Sequence, residues 1–120
     1  MISVPRLLAA PGAGLSAHLD CYGALPPTTA ELIPVIDRSG LTGRGGAGFP
    51  TGRKMASVTG AKPVVVGNGA EGEPLSRKDA TLLTRAPHLV LDGLDAAAAA
   101  IGAEKAYLYV HPEAAAAVSQ

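Results

Sequence analysis

Six glycines fall between residues 39 and 52, at Gly40, Gly43, Gly45, Gly46, Gly48 and Gly52, and three cations, Arg44, Arg53 and Lys54, sit among or directly after them. Glycines this dense let successive backbone N–H groups turn toward one point, with no Cβ between backbone and ligand. Such a nest with Arg and Lys beside it suits a phosphate. The charge pattern agrees: from Arg38 to Ala70 there are five basic residues (Arg38, Arg44, Arg53, Lys54, Lys62) and no acid. Positions 43–48 satisfy G-x-G-x-x-G, yet the dinucleotide fingerprint follows a strand and this loop follows a helical pattern. No Gly-Lys-Ser/Thr follows four variable residues, so it is not a P-loop either. The stretch reads as a phosphate cradle of neither common type. The competing reading is a flexible linker, which Phe49-Pro50 and the clustered cations oppose.

A second constellation is Asn68-Gly69-Ala70-Glu71-Gly72-Glu73-Pro74, directly after the run Val64-Val65-Val66. Open α/β sheets bind ligands at the C-terminal ends of their strands. An Asn amide and two carboxylates at that edge would accept hydrogen bonds from a ribityl chain, a ribose or a ring. An ordinary acidic surface turn is the equal alternative. Elsewhere the residues carry less. Arg77-Lys78-Asp79 reads as a solvated, partly paired face. His88 reads as a helix-start residue beside Pro87, and His18 and His111 have no companions at metal-ligand spacing in the sequence. Cys21 has no basic neighbour and reads as a buried or idle thiol. Ser16, Ser39, Ser57 and Ser76 lack the context of a nucleophile elbow, so no catalytic side chain and no metal site is expected.

The elements that must position these residues can be read in order. Residues 16–21 form a short helix stopped by Gly23 and Pro26-Pro27. A second helix is expected from Thr28, where Thr28-Thr29-Ala30-Glu31 fits a capping box, with Leu32, Ile33, Val35 and Ile36 on its apolar side and Gly40 as its stop. Pro34 conflicts with that start, so the helix must kink or begin later. After the glycine-rich loop, residues 53–59 form a short helix. Residues 63–67, a β-branched run bounded by Pro63 and Gly67, match a strand buried on both faces. A long loop is expected over 68–86. Pro87 then opens a helix with Leu89, Val90, Leu94 and Ile101 on its buried side and Gly102 as its stop. Residues 106–110 form the next strand, and Pro112-Glu113 begins another helix. The fold class is α/β: a partial Rossmann-like parallel sheet preceded by N-terminal helices, with a helical segment over 1–38 and the α/β portion over 39–120. Two strands make no stable sheet alone, so the architecture is expected to be incomplete.

Composition narrows the class. The chain has 120 residues, room for one domain at most. Ten basic and ten acidic residues cancel, which argues against nucleic acid or an anionic membrane as the main partner. Aromatics make up 3% of the chain, too few for a base-stacking platform. At 48% hydrophobic and 17% charged the chain is not a disordered segment, although 23 alanines mean that its apolar residues bury little area each. The lone cysteine excludes an internal disulfide and an iron–sulfur cluster carried by this chain alone, and points to a reducing compartment, the cytoplasm. No run of about 20 apolar residues is present to insert in a membrane.

Taken together, residues 39–54, residues 66–74 with Lys78-Asp79, and residues 87–93 resemble, in order and spacing, the flavoprotein F subunit of NADH-quinone oxidoreductase, respiratory complex I. The resemblance spans 39–111. It implies a truncated FMN-binding domain in which Gly43, Arg44, Gly45, Gly46 and Lys54 line the FMN phosphate and ribityl chain, Asn68 and Glu71 contact the flavin side, and Phe49, Lys54 and Glu73 touch NADH. The cofactor would do the chemistry and the protein would orient it. Departures from the family pattern are Ala70 where an Asp is common, Ser57 where an aromatic packs on the adenine, and Met55 where a Trp follows the lysine. The rest of the family's flavin domain, its ubiquitin-like domain and its 4Fe-4S domain have no counterpart here.

Two functions follow. In the first, the chain is the N-terminal part of an NADH:acceptor oxidoreductase, passing hydride to FMN only when completed by a C-terminal flavoprotein portion or an iron–sulfur subunit, in the cytoplasm or peripheral to a membrane through a complex. In the second, it is a non-catalytic, truncated or decayed FMN-binding module acting as a subunit partner. A generic nucleotide-binding domain is a weaker third reading, because the Rossmann context fails.

Overall fold

A computed structural model of the chain describes residues 6–44 and 47–119. The elements run α1 (Leu15–Tyr22), α2 (Leu32–Ser39), α3 (Thr51–Ala56), β1 (Val64–Gly69), α4 (Lys78–Arg85), α5 (Pro87–Ile101), β2 (Lys105–Val110) and α6 (Pro112–Val118). β1 and β2 pair in parallel, with Val64 opposite Lys105 and Gly69 opposite Val110, and α4 and α5 form the crossover between them. This is the α/β arrangement that the alternation of β-branched runs and Pro-initiated helices predicts.

α2 begins four residues later than the capping-box pattern suggests. Thr28 Oγ1 donates to the Pro26 carbonyl instead of capping, and the Glu31 amide donates to Thr29 Oγ1. Starting at Leu32 puts Pro34 in the first turn, where its missing N–H forfeits no intrahelical bond. Gly40, at φ 75°, closes the helix in the left-handed conformation that favours glycine.

The expectation that residues 63–67 are buried on both faces fails. Along β1 exposure alternates, and the strand runs on to Gly69, so Asn68 lies within it. Val65, Gly67 and Gly69 face the crossover helices. A Cβ on Gly67 would meet Leu94 Cδ1 at 3.3 Å, and one on Gly69 would meet Leu83 Cδ1 at 3.1 Å and the Tyr109 carbonyl at 3.2 Å. Val64, Val66, Tyr107 and Tyr109 look outward and are each at least half exposed. With helices packed on one face only, a β-branched run has one buried row, not two.

The expected long loop over 68–86 contains a helix, α4. Its Thr81 and Thr84 and its charged residues obscure the pattern, but Leu83 is the most deeply buried large side chain described. Ala86 separates α4 from α5 with an extended φ of −141°, since the residue before a proline avoids the α region. Along α5 the deeply buried residues are Pro87, Ala98 and Ala100, while Leu89, Val90, Leu94 and Ile101 are half-buried. α1 packs on α5 through His18, which is buried and has Nε2 at 2.8 Å from Asp92 Oδ2, a carboxylate partner 74 residues away that no sequence spacing reveals. The Tyr22 and His88 rings flank it, and Tyr22 also donates to the Arg6 carbonyl. Cys21, expected buried or idle, is exposed on α1.

Candidate functional site

The glycine-rich loop is closed at its neck. Thr42 and Pro50 form an isolated antiparallel bridge, the Gly43 amide donates to the Phe49 carbonyl at 2.9 Å, and the Thr51 amide donates to the Leu41 carbonyl at 3.0 Å. Helix α3 leaves this neck directly, so Lys54 sits one turn from it. Arg44, Arg53 and Lys54 are exposed, as is half of Phe49. Gly48 adopts φ 54°, a conformation that L side chains rarely take. Gly45 and Gly46, the two remaining cradle glycines, lie outside the described residues.

Not every glycine of this segment faces a possible ligand. Gly52 is buried between α2 and α3: a Cβ there would sit 2.7 Å from the Asp37 backbone. It exists to let two helices touch, a role its sequence context does not separate from phosphate binding. At Gly43 the reverse holds. A Cβ would find only ordinary contacts, 3.8 Å from the Phe49 carbonyl oxygen, so the chain's own packing does not require glycine there.

The second constellation gathers where both strands end. Asn68 Oδ1 accepts from the Ala70 amide at 3.1 Å, turning the chain out of β1. The Glu71 carboxylate is fully engaged. Its Oε1 accepts from the Glu73 amide at 3.1 Å, and its Oε2 accepts from Ser76 Oγ at 3.2 Å and lies 2.6 Å from Lys78 Nζ. These contacts, led by Lys78, hold the Glu71 carboxyl below the usual carboxylate range. Asp79 and Glu71 in turn raise Lys78 above the ordinary lysine value. His111, the first residue after β2, places Nε2 3.3 Å from the Glu71 carbonyl oxygen; since a carbonyl only accepts, that nitrogen carries the proton. A cleft of about 350 Å³ opens here, lined by Gly69, Glu71, Arg77, Thr84, His111 and Glu113. Glu73 is exposed on the same loop.

The expected site residues therefore form two groups. Gly43, Arg44, Phe49 and Lys54 belong to the closed loop and α3; Asn68, Glu71 and Glu73 belong to the end of β1 and the loop after it. Among the described residues no hydrogen bond or ion pair joins the two groups. Ser76, Lys78 and His111 join the second group, although their sequence context marks none of them as a site residue. Arg77-Lys78-Asp79, expected as a solvated, partly paired face, is paired through Lys78, which bridges Asp79 and also Glu71, two carboxylates largely shielded from solvent. His111 was available from topology: in a parallel pair, the residues that follow each strand share one edge.

Residues 36–120 match the family described as the Nuo51 FMN-binding domain. The chain is 40% identical over 105 residues to the second F subunit of NADH-quinone oxidoreductase in Rhizobium meliloti (strain 1021), covering 85% of this chain and 24% of that protein. It is 42% identical over 92 residues to the F subunit of NADH-quinone oxidoreductase in Aquifex aeolicus (strain VF5), covering 75% of this chain and 22% of that one. Among solved structures it is similar to the NAD+-reducing NiFe hydrogenase in the air-oxidised state, with TM-score 0.69 and 32% identity over 98% of this chain and 22% of that chain. The chain spans less than a quarter of the length of these relatives. No helix among the described residues is long and apolar enough to cross a membrane. The matched segment contains both constellations, the closed glycine loop and the Asn68–Glu71 edge, and by that match the chain belongs to the family of the Nuo51 FMN-binding domain.

Proposed function

We propose that this chain binds FMN in an NADH:acceptor oxidoreductase and holds the FMN phosphate in the loop of residues 43–54. The observation that carries this reading is the closed neck. The Gly43–Phe49 and Thr51–Leu41 bonds hold the two ends of the glycine-rich segment together, with exposed Arg44 beside one end, exposed Arg53 and Lys54 directly after the other, and no acid in the segment. Gly43 supports it further, because the room left for a Cβ means that a need for glycine there would come from a ligand. Gly45 and Gly46 complete the cradle, and Asn68 and Glu71 contact the flavin side. Phe49, Lys54 and Glu73 receive NADH, the half-exposed Phe49 ring offering a stacking face. FMN, when bound, supplies the hydride chemistry, accepting an electron pair and releasing it singly; the chain binds, orients and screens it.

Turnover on this reading requires further polypeptide. Hydride transfer needs donor and acceptor held within roughly 3–3.5 Å, and the two-stranded sheet leaves one face and both edges open. The completing partner is a further flavoprotein portion or an iron–sulfur subunit. A second reading, a non-catalytic FMN module that serves as a subunit partner, is favoured by Ser57, whose Oγ donates to the Lys54 carbonyl at 2.7 Å and ends α3 where an adenine-packing aromatic is expected.

Calorimetry with FMN and riboflavin tests the cradle. Charge-assisted contacts are worth about 1.5–3 kcal/mol each, so Lys54→Ala is expected to weaken FMN ten- to a hundredfold and leave riboflavin, which lacks the phosphate, nearly unchanged. Equal binding of both flavins, with equal loss in the variant, rejects the assignment. Ferricyanide reduction by NADH with the FMN-loaded chain separates the two readings: restoration on adding a completing portion supports the oxidoreductase, whereas bound FMN with no turnover in any such pairing supports the module.

A further inference from the structure

We propose that Lys78 is a positioning residue: with Ser76 it clamps the Glu71 carboxylate and so fixes the loop that carries Glu73 beyond Asn68 at the sheet edge. The inference rests on the FMN reading for its consequence and on the geometry of residues 68–79 for its mechanism. Lys78 opens α4 and reaches back seven residues to Glu71, while its second contact, Asp79 Oδ1 at 2.8 Å, ties the same ammonium to α4 itself. The ammonium therefore joins the loop to a helix whose Leu83 is anchored in the core.

The clamp is not a surface ion pair of the ordinary kind. Lys78 is 65% exposed, but the carboxylates of Glu71 and Asp79 are only 17% and 16% exposed. Removing the cation would leave two shielded like charges beside one another. Glu71 also gathers donors from both ends of the loop, the Glu73 amide and the Ser76 hydroxyl, and the Ser76 amide donates to the Glu73 carbonyl at 3.1 Å. Residues 71, 73, 76 and 78 thus form a small closed network, and His111 fastens its Glu71 corner to the end of β2. The consequence is a division of labour at this edge: Glu71 meets the flavin side with its carboxylate held in this network, and Glu73, exposed and held among the described residues by its backbone, is the carboxylate left for NADH.

Amide hydrogen exchange of the full chain without ligand reads the clamp directly. Lys78→Met is expected to raise exchange at the Glu73 and Ser76 amides about tenfold, the effect of losing a stabilisation of one charged contact, with amides of α5 unchanged. Lys78→Arg is expected to restore protection. With FMN bound, Lys78→Met should alter the visible circular dichroism of the flavin and Lys78→Arg should not. Unchanged exchange at Glu73 and Ser76 in Lys78→Met overturns the clamp. Faster exchange with an unaltered flavin spectrum overturns its positioning role. A wild-type chain that takes up no flavin rejects the FMN reading instead, and the clamp then stands or falls on the exchange rates. If Lys78→Met fails to fold, Ser76→Ala, which removes one neutral donor, gives the same readout at smaller amplitude.

Discussion

At the scale of single residues, Gly43 and Glu71 of the proposed site each yield a direct test. The φ of Gly43 is not in the left-handed region, and a methyl group there meets only ordinary contacts. Gly43→Ala is therefore expected to leave the melting temperature unchanged while weakening FMN, because the added Cβ would stand between backbone and phosphate. Unchanged FMN affinity in a normally folded variant would remove Gly43 from the cradle. Glu71 and Lys78 set a pH window. The folded-state value of Glu71 is lowered, so its contribution is complete above the unfolded carboxyl value of roughly 4.3 and is lost as pH falls through the lower folded value. That of Lys78 is raised, so its contribution is complete below roughly 10.4 and is lost as pH rises through the higher folded value. Protection of the Glu73 amide, corrected for intrinsic exchange, should be flat between these limits and fall outside them. Protection that stayed unchanged beyond both limits would remove the Glu71–Lys78 pair from the network.

At the scale of elements, the packing of α2 on α3 decides where Lys54 stands. Gly52 lies against the Asp37 backbone, and a Cβ at 2.7 Å from Asp37 Cα and N has no flexible side chain to displace. Overpacking of this kind costs about 1–3 kcal/mol. Gly52→Ala is thus expected to lower the denaturant midpoint and to abolish the preference for FMN over riboflavin together, by moving α3 away from the loop neck. Gly43→Ala and Gly52→Ala form a pair: the first should spare stability and the second should not. Part of this element pattern is legible in the sequence. Pro87 and Pro112 open α5 and α6, and Gly40 and Gly102 close α2 and α5, because each acts through its own backbone. α4 was not legible, since its helical character depends on Leu83 finding a core beneath the sheet.

At the scale of the whole molecule the core is thin. Its radius of gyration is 15.0 Å, against about 13.6 Å for a compact domain of this length. The buried apolar side chains among those described are Leu83, Pro87 and four alanines, Ala86, Ala98, Ala100 and Ala114. The outward face of the sheet, by contrast, presents Val64, Val66, Tyr107 and Tyr109. Leu83→Ala is expected to cost about 2–5 kcal/mol, a large share of the stability of a small domain. Val66→Lys, on the open face, should change unfolding free energy by less than about 0.5 kcal/mol while reducing self-association in sedimentation. Strong destabilisation by Val66→Lys would mean that this face is covered within the folded chain.

The sequence by itself determined the order of the elements apart from α4, the parallel pairing of the two strands and the residue types gathered in the two constellations. These reside in short windows: a β-branched run at 64–66, prolines at helix starts, glycines where φ turns positive, and cations clustered around glycines. Only the tertiary structure decided what the polar residues do. It pairs His18 with Asp92, brings His111 to Glu71 across 40 residues, and commits the Glu71 carboxylate to Lys78, Ser76 and the Glu73 amide. It also assigns Gly52 to helix packing and leaves room for a Cβ at Gly43. The physical reason is range. Backbone preferences act on a residue and its neighbours, whereas hydrogen bonds and ion pairs depend on the path by which α4, α5 and β2 return the chain to one edge of the sheet.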